Sequence, residues 1–321
     1  MIRSHRVMRI AAAVLKHLLL RSGIYDTLLR RTRFPGVCVL CYHGVRPDDW
    51  PVGTMPFEGL HVRASELSSH LLLLRRTCHL ITLGKWRSAL AGGPPLPPRS
   101  VLVTFDDGYR NTVQFGLPIL RELKVPGVLF VCTDPVANQR SFWPDAVARA
   151  QGEDAVGRLK TIAYDEWKRE TERCAVSVAD TDRCAPMLPE DARRWADTFG
   201  CEVGAHTATH PILSHASREQ QLWELQRSKS TLEEWTGRQV TAFAYPNGAP
   251  GVDYGPDTVE LVGEVGFDIA FNTRSRFALD SEPPLERSRF IVLAGMSAAE
   301  LAHRLCSSWR RSGGDPSMRS T

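Results

Sequence analysis

The 321-residue chain has no long uncharged apolar run. Its N-terminal stretch MIRSHRVMRIAAAVLKHLLLRSGIYDTLLRRTRF comes nearest, yet the longest uncharged core there, Ile10 to Leu15, ends at Lys16 and His17. That is too short for a secretory signal or a membrane span, so a cytoplasmic location is expected. Residues 1–36 read as a basic amphipathic extension resting on the domain, with weak peripheral contact at the inner face of a membrane as the alternative. A disulfide framework is also lacking, because eight cysteines are too few for a chain of this length. Cys38 and Cys41 have CxxC spacing but lie inside an apolar run with no second pair, so buried thiols are expected rather than a zinc or redox site. Excess charge of one sign is missing too: 40 Lys and Arg against 36 Asp and Glu leave +4. Without basic runs interleaved with aromatics in the body of the chain, nucleic acid is not an expected partner. There is no internal repeat.

What is present is a rhythm of short apolar runs alternating with helical patterns. GVCVLCYHGV and SVLVTF read as buried strands, and Leu67, Leu71 and Leu74 recur at helical spacing in a helix that should end near Cys78. HLITL, VLFVC, CEVGA, VTAFAYP, FDIAFNT and RSRFIV continue the strand series. Strands alternating with helices predict a mainly parallel sheet, open or closed into a barrel. The polar segment from about 138 to 189 breaks the rhythm and reads as a helical insertion without a core of its own. The domain is expected to span 37–311, with a disordered tail over 312–321.

Chemistry concentrates where strands end. VTFDDGY closes a strand with adjacent carboxylates, Asp106 and Asp107, which are costly together unless a cation compensates them or one acts as a base. In CEVGAHTATH, His206 and His210 stand four apart after another strand, and two histidines with a carboxylate suffice to hold a catalytic divalent ion. An HxxxH alone is as often structural; beside TFDDGY it points to a site. FAYPNGAP is by itself an ordinary turn in which Gly248 lets the backbone pass close to something bound.

Taken in order, LCYHGV, VTFDDGY, HTATH, FAYPNG and GFDIAF resemble the polysaccharide deacetylases, from about Val37 to Val292. The resemblance implies an α/β fold, a distorted (β/α) barrel of about seven strands, and a divalent metal, usually zinc. It implies hydrolysis of acetyl groups, most often from N-acetylglucosamine residues of a polysaccharide or oligosaccharide, and looks closest to members associated with exopolysaccharide or surface-glycan synthesis. It assigns Asp107, His206 and His210 as metal ligands and Asp106 as general base. Tyr109, Tyr245, Pro246, Asn247, Gly248 and Arg289 fall at substrate or oxyanion positions, with the Asn247 backbone N–H as the expected oxyanion donor.

Two departures stand out. Ala244 occupies a position where many members carry an arginine that pairs with the catalytic aspartate, and LERSRFIV lacks the late histidine that serves as general acid. Arg287 or Arg289 can replace the lost pairing through space, but an arginine does not give up its proton. His43 is therefore the candidate acid, a packed structural histidine being its equal alternative. Other classes fit the motifs less well. A haloacid-dehalogenase reading needs Asp-x-Asp-Gly, and VTFDDGY has its two aspartates adjacent instead. A non-haem Fe(II) centre would use the same ligands without TFDDGY. A glycan-binding homologue without activity would have no need of Asp106.

Overall fold

Six short parallel strands carry the fold, because their residues are apolar on both faces. The computed structural model describes residues 2–179 and 181–312. The strands are β1 (Gly36–Tyr42), β2 (Gly44–Arg46), β3 (His61–Arg63), β4 (His79–Leu80), β5 (Ser100–Phe105), β6 (Val128–Val131), β7 (Glu202–Ala205), β8 (Ala242–Ala244), β9 (Ile269–Phe271), β10 (Ala278–Leu279) and β11 (Phe290–Ile291). β1, β5, β6, β7, β8 and β9 pair in that order, all parallel. The segment from Arg287 to Ile291 joins both edges. The Arg287 N–H donates to Ala270 O on β9 at 2.8 Å, and Phe290 and Ile291 pair with Leu40 and Cys41 of β1. This curls the sheet into the expected distorted barrel of seven staves.

Alternation along the strands divides the core into two layers. Val37, Val39, Leu102, Val128, Phe130, Ala242, Ile269 and Phe271 point into the lumen, where Trp86 fills the lower end. Cys38, Leu40, Val103, Leu129, Val203 and Phe243 point outward under the surrounding helices. Runs such as SVLVTF therefore lack a polar face. Trp86 comes from the helix Leu83–Leu90, whose Thr82 cap accepts from the Lys85 N–H at 3.1 Å. That helix cuts the expected HLITL strand down to two residues.

The N-terminal extension forms two helices, Ile2–Arg21 and Ile24–Arg31, broken at Gly23 with φ of 77°. Leu29 is fully buried, Tyr25 bonds to His303 of the last helix at 3.0 Å, and Asp26 accepts two hydrogen bonds from Arg76. The extension thus rests on the barrel through one face, while Val14, Leu15 and Leu18 stay exposed. No helix among the described residues is long and apolar enough to cross a membrane. The last helix, Ala298–Ser312, includes the first residue of the expected tail; residues 313–321 lie outside those described.

The insertion corrects one expectation. Its helices Trp143–Gln151, Glu153–Leu159 and Tyr164–Cys174 enclose a small core of their own around Trp143, Val147, Val156, Tyr164 and Trp167. Each helix contributes only two to four buried positions, too few to stand out as a period in a polar segment.

Candidate active site

Asp106 continues the inward parity of Leu102 and Thr104 just past the end of β5, so its carboxylate enters the barrel mouth. Its neighbour should point away, but Asp107 adopts a left-handed conformation with φ of 72°, and Gly108 after it stands at 94°. Aspartate tolerates this region better than most residues. The kink is held by Gly108 N–H donating to Asp106 O and Cys132 N–H to Asp107 O, both at 3.0 Å. Both carboxylates therefore face one cavity.

Arg289 settles which arginine meets Asp106. Its Nη1 and Nη2 donate to Oδ1 and Oδ2 of Asp106, each at 2.7 Å, and its Nε donates to Asn272 O at 3.2 Å. The guanidinium is sandwiched near the rings of Phe130 and Phe271. Burial alone would raise the Asp106 pKa, but Arg289, with His206 and His43, outweighs it and holds the carboxyl below its ordinary value. Arg289 is completely enclosed, so it is a clamp on Asp106 and not a substrate or oxyanion contact. Arg287 points to the lower lumen, over Trp86, and donates to Leu279 O at 2.6 Å.

His206 has the inward parity of β7 and its Nδ1 donates to Ala244 O at 2.7 Å, which turns the Nε2 lone pair toward Asp107. The loop to His210 is strained at Thr207 and His210, with φ of 66° and 63°. It is tied down by Glu224, a fully buried carboxylate on the helix Arg218–Thr236. Glu224 accepts from the backbone N–H groups of Ala208 and Thr209 at 2.9 Å each, from the Thr209 hydroxyl, and from the Tyr164 hydroxyl of the insertion at 2.7 Å. Trp143 of the insertion donates to His210 O at 2.8 Å.

Asp107 Oδ1 lies 3.5 Å from His206 Nε2 and 3.4 Å from His210 Nε2. Two ligand atoms each about 2.1 Å from a zinc ion, at a tetrahedral angle, would stand about 3.4 Å apart. The three residues thus fit a small divalent cation of the borderline type that two imidazoles and a carboxylate prefer. Burial pulls the His206 pKa down, but Asp107, Asp106 and the Ala244 carbonyl together outweigh it and the net shift is upward. His210 is lowered to about 4, first by burial and then by His206. Burial pushes Asp107 up, and the hydrogen-bonding and charge of its histidine neighbours bring it well below the usual carboxylate range.

These groups line a cavity of about 320 Å³, shared with His43, Tyr109, Tyr245 and Asn247. His43 faces the same space as His206, and its buried Nδ1 has no hydrogen-bond partner. Asn247 is held at φ of 55° and its buried Nδ2 is also unpartnered. Tyr109 and Tyr245 present ring rather than hydroxyl, since their OH groups donate to Asp145 at 2.9 Å and Leu285 O at 2.9 Å. Pro246 and Gly248 are buried behind the wall. Gly248, at φ of 77°, is required because a Cβ would stand 3.0 Å from Thr273 Cγ2 and 3.2 Å from Thr273 N. The close approach anticipated at this glycine is to the chain's own backbone. Clefts of about 600 and 670 Å³ lie elsewhere. Among the described residues, two sets of metal-ligand groups converge, Asp107 with His206 and His210, and Cys41 with His43 and Asp106 next to it.

Sequence reasoning missed Glu224, Asp145 and Lys160. Glu224 carried a readable signal: it falls on the buried stripe of its helix with Gln221, Leu225, Ser228 and Leu232, where a carboxylate needs a partner. Lys160 and Asp145 lie in the insertion, and nothing local marks them as cavity neighbours.

Residues 93–270, more than half of the chain, match the family described as polysaccharide deacetylase. The chain is 25% identical over 269 residues to the poly-beta-1,6-N-acetyl-D-glucosamine N-deacetylase of Escherichia coli, covering 77% of this chain but 36% of that protein. The structure of the Streptococcus pyogenes deacetylase PplD in complex with acetate is similar with a TM-score of 0.64 at 18% identity, over 85% of this chain and 99% of that one. IcaB from Ammonifex degensii gives 0.58 at 21% identity, over 84% and 97%. At such identities the solved structures speak for the fold, which is the same barrel. The matched segment begins after His43 and ends before Arg289, so the clamp on Asp106 is supplied from outside it. The chain belongs to the polysaccharide deacetylase family.

Proposed function

We propose that this chain hydrolyses the N-acetyl group of N-acetylglucosamine residues in a polysaccharide, using a divalent cation, preferentially zinc, held by Asp107, His206 and His210. The observation that carries this is the convergence of those three ligand atoms beside a second carboxylate, Asp106, that is kept ionised by Arg289. The Escherichia coli relative's name, a poly-beta-1,6-N-acetyl-D-glucosamine N-deacetylase, supports a polymer of N-acetylglucosamine as the substrate, and the family resemblance supports a place in exopolysaccharide synthesis.

An amide carbonyl is a poor electrophile; a bound zinc ion supplies Lewis-acid polarisation and a lowered pKa for water. Asp106 accepts the proton of the attacking water, its orientation fixed by the two-point hold of Arg289. Asn247 donates to the acetyl oxygen as negative charge gathers there, through its backbone N–H with Nδ2 alongside. Collapse expels the sugar amine, and His43 supplies its proton. The products are acetate and a free amino sugar.

The test is acetate release from a panel of acetylated glycans by the zinc-loaded protein, with metal content measured on the same sample. N-acetylated glucosamine oligomers should release acetate, and chelation should abolish it. Acetate from O-acetylated glycans alone would reject the amide assignment.

A further inference from the structure

Lys160 stands at the C-terminal end of the insertion helix Glu153–Leu159 and lines the same cavity as His210 and Asp107. Around it, Phe142, Pro144 and Val156 make an apolar wall, all from the insertion. Its ammonium makes no hydrogen bond and no ion pair within 4.0 Å among the described residues. Asp253 is the strongest influence of opposite charge, but that carboxylate already accepts the Ala249 N–H at 2.7 Å. Burial accordingly holds the lysine below its ordinary pKa, Asp253 and then Asp107 only partly offsetting it.

The other charges in the cavity are spoken for. Asp106 is neutralised by Arg289, and Asp107 belongs to the cation site. Lys160 is the charge left over, partly dehydrated and facing the space the glycan must enter. A hydroxyl would compensate such a group weakly, whereas an anion would form a charge-assisted hydrogen bond in a region of low dielectric. We propose that Lys160 forms an anion subsite, selecting glycans that carry a carboxylate or phosphate on or beside the acetylated sugar. This rests on the deacetylase reading and narrows its substrate class.

The test uses the zinc-loaded full chain, its Lys160→Met and Lys160→Arg variants, and three matched oligomers of N-acetylglucosamine: neutral, uronate-bearing and phosphate-bearing. The wild type should show kcat/KM at least about tenfold higher on one or both acidic oligomers. Lys160→Met should collapse the acidic-to-neutral ratio toward one, mainly through KM, and Lys160→Arg should keep most of it. The two acidic arms identify which anion is preferred. A wild-type ratio at or below one overturns the proposal, as does a ratio that Lys160→Met leaves intact. A Met variant slowed equally on all three would make Lys160 part of the general electrostatics and equally overturn it. If no oligomer releases acetate, the deacetylase reading fails instead. Calorimetric binding of the same oligomers to wild type and Lys160→Met then decides the subsite by itself: acidic binding lost in the variant supports it, and equal binding refutes it.

Discussion

Arg289 and Asp106, 183 residues apart in the chain, meet through two parallel hydrogen bonds of 2.7 Å in a fully buried pair. The family's usual arginine is absent at Ala244, yet the guanidinium arrives from the stave that closes the barrel. Removing one partner of such a pair strands the other charge out of water. Arg289→Met should therefore destabilise the fold by about 3–5 kcal/mol in urea unfolding and lower turnover steeply. Arg289→Lys keeps the charge but not the fork, so it should fold better than the Met variant while remaining slow. A Lys variant with wild-type turnover would show that two-point orientation is not needed.

Glu224 should govern metal affinity without touching metal. Glu224→Leu leaves two loop N–H groups unpaired and should weaken zinc binding by about 10–100-fold in a chelator competition, with activity partly restored by excess zinc. Glu224→Gln can still accept those N–H groups and should stay near wild type. Equal zinc affinity in the Leu variant would mean that the strained loop holds itself.

Asp145 gives a pH prediction. Burial, partly offset by the Tyr109 hydroxyl, pushes its pKa up to about 7. The folded state then holds a proton that the unfolded state releases near pH 4, so this group's contribution to stability falls as pH rises from there to about 7. Asp145→Asn removes the penalty while its amide oxygen can still accept from Tyr109. The variant should gain stability relative to wild type between about pH 5 and pH 8, by at most about 4 kcal/mol. Unfolding midpoints at those two pH values check this; a difference independent of pH would contradict it.

His43 tests the proton donor. His43→Ala should retain stoichiometric zinc and lower turnover on amides by about 10²–10⁴-fold. An activated ester, whose leaving group needs no proton, should suffer much less. Equal loss on both would assign His43 a packing role.

The catalytic rim was legible because a barrel strand buried on both faces is a run of apolar residues, and the residues at the end of that run stand at the rim. SVLVTF led directly to Asp106 and CEVGA to His206. The adjacency of Asp106 and Asp107 became intelligible only with the left-handed turn at Asp107, which Gly108 hints at but does not dictate. Arg289 could be narrowed to one of two arginines and no further, since strand closure decides which faces Asp106. Lys160 and the insertion core depend on three short polar helices folding against one another, and no local period records that.

The most direct test of the account measures zinc content and acetate release together in wild type, Asp106→Asn and Asp107→Asn. Asp106→Asn should keep its metal and lose activity by about 10²–10⁴-fold, while Asp107→Asn should lose metal and activity together. Metal lost from Asp106→Asn and retained by Asp107→Asn would reverse the two aspartates, and a wild type that binds zinc yet releases no acetate would contradict the account at its centre.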